Sequence, residues 1–120
     1  MNVPRNRELG AGGEESAAAY LSDRQFTIIK RNYRFGKYGE IDIIAGRGML
    51  VIFVEVKSRS SERFGGALYS ISARKKQSLK TAARAFIQEN TQYNDPAYTF
   101  RFDMISVYGR TIDWIEDIFR

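Results

Sequence analysis

The sequence contains no cysteine and no histidine among its 120 residues. Without cysteine there can be no disulfide, no thiolate zinc site and no cysteine nucleophile. Without histidine, Ser-His-Asp hydrolysis, histidine-ligated metals and the nucleases that depend on histidine are excluded. Any catalysis must therefore come from Asp, Glu, Lys, Arg, Tyr and Ser, and a bound metal would have oxygen ligands, which favours Mg²⁺, Mn²⁺ or Ca²⁺.

Long apolar stretches are also lacking. No apolar run reaches the length of a membrane span, and the first ten residues, MNVPRNRELG, contain no apolar segment typical of a signal peptide. We therefore expect a cytoplasmic protein with no membrane partner.

Acidic residues are outnumbered by basic ones. The chain has 19 Lys and Arg against 14 Asp and Glu, which gives a net charge of +5 and a pI near 9.6. This excess suggests a polyanionic partner such as nucleic acid, although a moderately basic soluble protein explains it equally well.

The patterning predicts an α/β fold in one domain over residues 1–120, with a central mixed sheet flanked by helices in the order αβββαβ. Helical periodicity covers about 7–24 and 72–90, with Ser72 as the N-cap of the second helix. The predicted strands cover 26–35, 40–46, 49–58 and 98–108. Residues 59–70 are predicted to form a loop, and residues 111–120 an edge strand or a tail.

Two carboxylates and a lysine lie where the second and third predicted strands leave the core. In EIDIIAG, strand alternation predicts Ile41 and Ile43 on one face and Asp42 on the other. In LVIFVEVKSR, Glu55 and Lys57 share a face, about 6–7 Å apart along the strand. Folding this hairpin about the GRG turn at 46–48 brings Asp42 next to Glu55.

Such a constellation suits a divalent cation. Two carboxylates held close together repel each other, and a cation that prefers hard oxygen ligands relieves the repulsion. The carbonyl of Val56 could supply a further ligand. The cation can polarise a phosphoryl oxygen and activate water, while Lys57 can orient that water or stabilise developing charge. A purely structural ion pair is the competing explanation.

The first predicted helix offers another carboxylate. Glu14 shares a helical face with Ala17, Ala18 and Leu21, so it is tilted toward the core and could reach the metal. A glutamate of the first turn that is favoured by the helix dipole is an equally good interpretation.

Basic residues surround this predicted site in the sequence. They are Arg34, Lys37, Arg59, Arg63, Arg74, Lys75, Lys76 and Lys80. Contacts from such a rim to phosphates would give affinity without reading a base sequence. The aromatic residues among them, Tyr33, Phe35, Tyr38 and Phe64, could stack on unpaired bases, although such residues more often pack in a core.

The segments LGAGGEESAAAYL, RNYRFGKYGEIDIIA, LVIFVEVKSR with FGG, and YTFRFDMISV resemble, in this order, the bacterial YraN family. That family is similar in fold to the restriction-endonuclease-like nucleases and to Holliday-junction resolvases. The resemblance implies the metal-nuclease pattern P-D-x(n)-[D/E]-x-K, carried here by Asp42, Glu55 and Lys57. Glu14 would be the acid from the first helix and Lys75 the basic residue from the second. Ile41 replaces the proline of the pattern, which is not a ligand.

The function expected from residues and resemblance is that of a metal-dependent endonuclease-like protein of the PD-(D/E)xK type, which hydrolyses phosphodiester bonds in structured or branched DNA. Asp42, Glu55, Glu14 and the Val56 carbonyl would hold Mg²⁺ or Mn²⁺. The expected partner is DNA, with RNA and a second copy of the chain, as a homodimer, as further candidates. The main alternative is a non-catalytic nucleic-acid-binding module of the same fold. A weaker one is an adaptor protein in which Glu55 and Lys57 form a plain ion pair.

Overall fold

The computed structural model describes residues 6–59 and 71–119, with side chains from residue 12 onward. Its elements follow in the order α1 (Asn6–Asp23), β1 (Thr27–Phe35), β2 (Gly39–Arg47), β3 (Leu50–Ser58), α2 (Ala73–Glu89), a 3-10 turn (Thr91–Asn94), β4 (Thr99–Tyr108) and β5 (Thr111–Ile115). The predicted αβββαβ order is confirmed, and a fifth strand follows it at 111–115. The predicted loop, including Arg63 and Phe64, lies almost entirely outside the described residues.

The described strands form one mixed sheet in the order β1-β2-β3-β4-β5. Neighbouring strands are antiparallel except β3 and β4, which are parallel. A parallel pair needs a crossover connection, and α2 lies in the chain between these two strands. The sheet therefore has a helix on each face, α1 on one and α2 on the other.

Each helix buries a stripe of small and apolar residues against the sheet. On the α1 side, Ala17 and Leu21 pack with residues of β2, β3 and β4. On the α2 side, Leu79, Ala82 and Phe86 pack over β1, β2 and β3. None of the helices in the described ranges is long and apolar enough to cross a membrane.

α2 begins where the sequence predicts and lies unusually close to β2. The hydroxyl of Ser72 accepts a hydrogen bond from the Lys75 amide at 3.1 Å, so Ser72 is the N-cap. Gly39, at the start of β2, leaves no room for a side chain, because an added Cβ would overlap the carbonyl oxygen of Ser78. This close approach brings the first turns of α2 over the ends of the central strands.

The predicted alternation along β2 is wrong at one point. Ile43 packs in the core beneath α1, whereas Ile41 packs beneath α2 beside Tyr33, so the two do not share a face. Across the sheet, Asn32 of β1 has a φ of +53°, in the left-handed region. The regular two-residue period is therefore interrupted at Asp42, which lies between the two isoleucines.

A buried carboxylate holds the far edge of the sheet together. Asp103 of β4 is fully buried and accepts two hydrogen bonds from Arg101, each of 2.8 Å. It also accepts hydrogen bonds from the indole of Trp114 at 2.9 Å and from the amide of Asp117 at 3.0 Å. Asp103 thus ties β4 to β5 and to the segment that follows, which is a structural role.

Candidate active site

The two central strands separate at the predicted site. Pairing between β2 and β3 ends at Ile43 and Val54. Beyond this pair β2 continues beside β1, and β3 continues beside β4 as far as Ser58. We call the resulting gap the fork, with residues 39–42 on one arm and 55–58 on the other. Asp42 and Glu55 are the first residue of each arm, so the register brings them together.

Asp42 is fixed in the fork by the opposite strand. Its Oδ2 accepts a hydrogen bond of 2.8 Å from the backbone amide of Val56. Since the β2–β3 pairing has already ended, this carboxylate takes the place of a strand partner for the amide. Sequence reasoning proposed the carbonyl of Val56 as a metal ligand and missed this role of its amide, for which the sequence gives no signal.

Glu55 is a buried carboxylate that faces both an acid and a base. Its side chain is only 6% exposed, and its Oε2 lies 3.2 Å from the Nζ of Lys75 in α2. Burial, together with the charge of Asp42 and a hydrogen bond to that carboxyl, raises the pKa of Glu55 to about 7, and Lys75 opposes the shift. Without a metal, Glu55 is therefore partly protonated at neutral pH, in a place where a divalent cation could replace the proton.

Glu14 approaches the fork from α1. Partial burial and the nearby charge of Asp42 raise its pKa, and the Arg31 guanidinium and the Asn32 side chain oppose that shift. Arg31 Nη2 lies 3.9 Å from Glu14 Oε1. The neighbouring Glu15 is exposed and bonds Arg31 at 2.8 Å, so the two acids of this turn have different surroundings. Glu14 is thus near Asp42 but is also held by β1.

The acids do not form a preassembled three-ligand cluster. Among the side chains that the structure describes, those of residues 12–59 and 71–119, no group of three acids is arranged closely enough to hold a metal ion. The hard-oxygen donor set at the fork is therefore the Asp42–Glu55 pair, with Glu14 as a neighbour.

The two lysines of the site differ in their contacts. Lys75 is the ion-pair partner of Glu55. Lys57, two residues after Glu55 on β3, is exposed, and within the described residues it makes no ion pair. The Glu55–Lys57 ion pair of the adaptor hypothesis is thus not formed, because the contact is made by Lys75.

Several of the predicted basic residues border a groove beside the fork. Arg34 and Lys37 line it together with Gly39 and Ser78, and its volume is about 320 Å³. Arg34 is paired with Glu40 at 2.9 Å, and both side chains are exposed. Because Gly39 and Glu40 belong to the first arm of the fork, the groove lies beside that arm.

Other members of the basic set are placed differently. Arg74 and Lys76 are exposed in the first turn of α2. Lys80 follows one turn later, with its Nζ 5.6 Å from the ring centroid of Phe119. Arg59 is mostly buried: it donates to the Ser106 hydroxyl at 2.5 Å and lies 3.4 Å from an Asp113 carboxylate oxygen. Its guanidinium is therefore held within the sheet.

Comparison with known proteins places the chain in a family. Residues 13–107 match the profile of the uncharacterised protein family UPF0102. A UPF0102 protein of Neisseria gonorrhoeae is 40% identical over 114 residues, which cover 94% of this chain and 96% of the relative. A relative from Nitrosomonas europaea is 41% identical over 92% of this chain and 92% of the relative. A relative from Shewanella sediminis is also 41% identical, over 98% of this chain and 97% of the relative. The chain belongs to the UPF0102 family, which is the YraN family that its motifs resemble.

Proposed function

We propose that this protein is a metal-dependent, endonuclease-like nucleic-acid-binding protein that hydrolyses phosphodiester bonds in structured or branched DNA. The observation that carries the proposal is the fork, where Asp42 and Glu55 extend from separated strands and still contact each other. Two acids in contact near a core repel each other unless they share a proton or a cation, so their meeting at the fork favours a functional use.

The chemistry of the fork fits a divalent cation. Asp42 and Glu55 would hold Mg²⁺ or Mn²⁺, with the Val56 carbonyl and Glu14 as additional oxygen donors. When bound, such an ion polarises a phosphoryl oxygen and lowers the pKa of water. The chain has no histidine or cysteine, so neither an imidazole nor a thiolate ligand is present to favour a softer metal.

The surrounding residues would perform distinct tasks. The Val56 amide orients the Asp42 carboxylate by its 2.8 Å hydrogen bond. Lys75 holds the Glu55 side chain at 3.2 Å and favours its charged form. Lys57, exposed beside them, would stabilise the negative charge that grows on the phosphate as the bond to the attacking oxygen forms.

Binding to nucleic acid would come from the basic residues around the fork. Arg34 and Lys37 line the adjoining groove, and Arg74 and Lys76 are exposed at the start of α2. A protein that binds mainly through such charges contacts phosphates and recognises shape rather than base sequence. This favours structured DNA over a sequence-defined site.

A cleavage assay on a panel of DNA structures tests the proposal. The panel contains duplexes, single strands, flaps and four-way junctions, each incubated with Mg²⁺ or Mn²⁺, and an RNA set run in parallel. Lys57→Met keeps the apolar stem of the side chain and removes its charge, so we expect normal folding and a loss of cleavage of at least about 100-fold. Lys30→Met is the matched control, since Lys30 is an exposed strand lysine on β1 outside the site.

The non-catalytic binding module remains the second candidate, favoured by one observation. Lys75 forms an ion pair with the Glu55 carboxylate. An internal ion pair in this position is expected of a site that no longer binds a metal. Wild-type protein that binds the panel and cleaves none of it would support this candidate. Cleavage by Lys57→Met at the wild-type rate would contradict the role given to Lys57.

A further inference from the structure

The turn between β1 and β2 exposes two aromatic side chains. In the described part of the chain only three large hydrophobic side chains are exposed: Phe35 at 40%, Tyr38 at 64% and Met49 at 46%. The two aromatic residues lie on the short segment 35–38, and their rings contact each other, with centroids 6.1 Å apart. We call this segment the aromatic turn. Adjacent exposed rings on one short segment indicate a surface that meets a partner.

The aromatic turn is held in a defined shape. The Tyr38 amide donates a hydrogen bond to the Phe35 carbonyl at 3.0 Å. Gly36 has a φ of +54°, which a glycine adopts without strain. Directly after the turn, Gly39 packs against the backbone of α2. The rings are therefore presented from a fixed platform, which lowers the entropy lost when a partner binds.

The other aromatic residue of this strand has a different role. Tyr33 is buried beneath α2, and its hydroxyl donates to Glu89 at 2.7 Å. It packs in the core and is not accessible to a partner. This separates Phe35 and Tyr38 from the wider set of aromatic residues that the sequence suggested.

The charges around the aromatic turn favour nucleic acid as the partner, with Arg34 also paired with Glu40. Arg34 and Lys37 alternate with the two rings along the chain, and both line the groove of about 320 Å³ beside the fork. Flat rings interleaved with cations match a strand of nucleic acid, which offers a base face and a phosphate at every nucleotide. In a continuous duplex the base faces are already stacked, so the rings can reach them only where bases are unpaired.

We propose that the aromatic turn stacks on unpaired bases next to the strand held at the fork and thereby selects branched DNA over a continuous duplex. This inference rests on the proposed function and names the feature of the substrate that the site recognises. Tyr38 precedes Asp42 by four residues, or roughly 13 Å at about 3.3 Å per strand residue. The contacted base therefore lies within a few nucleotides of the phosphate at the fork.

Binding measured without divalent cation tests the inference separately from cleavage. A labelled duplex with a single-stranded arm and a continuous duplex of the same length are titrated in EDTA and followed by fluorescence anisotropy. We expect wild type to prefer the armed DNA. The double variant Phe35→Ala with Tyr38→Ala should lose about tenfold or more of its affinity for that DNA and keep its affinity for the duplex. Tyr38→Trp should retain the preference.

Met49→Ala is the matched control, because Met49 is the other exposed large hydrophobic residue and lies on the β2–β3 turn. We expect it to bind as wild type does, and equal melting temperatures of all variants show that folding is unchanged. A double variant that keeps the preference for armed DNA overturns the inference, as does a wild type that binds both DNAs equally. Loss of self-association in the double variant, with DNA binding unchanged, would make the turn a dimer contact and overturn it too. A wild type that binds neither DNA contradicts the proposed function itself.

Discussion

At the scale of single residues, Glu55 is the carboxyl of the fork whose pKa is most clearly changed by its surroundings. Burial and the Asp42 carboxyl raise its pKa from 4.5 to about 7, against the effect of Lys75. The folded chain therefore binds a proton at Glu55 between these two values, where the unfolded chain has already lost it. Protonation of Glu55 therefore stabilises the folded state relative to the unfolded state. This contribution to stability is lost as the pH rises.

The stability of the metal-free protein should accordingly fall as the pH rises from about 5 to about 8, by up to about 3 kcal/mol for a shift of this size. Glu55→Gln cannot titrate, so its free energy of unfolding should change less over this range and exceed that of wild type at the upper end. Urea unfolding in EDTA at a series of pH values measures both. Parallel pH profiles for the two proteins would show that Glu55 does not titrate in this range.

The residues of the fork were only partly predictable. The turn between β2 and β3 lies at Gly48 and Met49, slightly later than the predicted 46–48, and the register still follows from counting outward from it, so the meeting of Asp42 and Glu55 could be predicted. The hydrogen bond from the Val56 amide to Asp42 could not be predicted, because nothing in the sequence shows where the pairing between β2 and β3 ends. The opposite faces of Ile41 and Ile43 were missed because alternation assumes an uninterrupted strand.

At the scale of elements, the strands and helices could be predicted closely because turn residues and apolar periods mark their ends. The pairing of β4 with β3 is a long-range contact that no local pattern reveals. The contact of Lys75 with Glu55 depends on how α2 crosses the sheet, which Gly39 permits by its lack of a side chain. The sequence pointed to Lys75 as a site residue through the family resemblance and did not predict its contact with Glu55.

The edge formed by β4 and β5 depends on one buried acid. Asp103→Ala would leave the Arg101 guanidinium, the Trp114 indole and the Asp117 amide without their shared acceptor. We expect a loss of about 3 kcal/mol or more in the free energy of unfolding, because buried charged groups are costly once a partner is removed. Chemical denaturation measures the loss. Asp23→Ala, at an exposed position at the end of α1, is the control and should have little effect.

A stability of Asp103→Ala within about 0.5 kcal/mol of wild type would mean that the edge is held by other contacts. Because Asp103 lies outside the fork, its replacement should affect stability and not the proposed cation site. Under conditions in which Asp103→Ala remains folded, we expect it to bind the cation as wild type does.

At the scale of the whole molecule, the net charge of +5 makes binding to a polyanion dependent on salt. The charges are not equivalent, however. Arg74 and Lys76 are exposed beside the fork, whereas Arg59 is held by Ser106 and Asp113 within the sheet. The sequence predicted all three as one basic set, because exposure cannot be inferred from residue type alone.

Reversing the charges of Arg74 and Lys76 to glutamate should therefore weaken binding to DNA and flatten its dependence on salt. The slope of log affinity against log salt should fall by about two, one for each phosphate contact removed. The same reversal at Lys30 and Arg110, which are exposed on β1 and on the turn between β4 and β5, changes the net charge equally. Equal slopes in the two double variants would mean that total charge, and not the start of α2, determines binding.

The central claim is that the Asp42–Glu55 pair at the fork is a cation site. It is tested most directly by titrating the metal-free protein with Mn²⁺ and measuring the free ion by electron paramagnetic resonance. We expect wild type and Asp23→Asn to bind the ion alike, and Asp42→Asn to lose at least about tenfold in affinity, since one charged ligand is removed. Undiminished binding by Asp42→Asn, or no binding by wild type, would contradict the account.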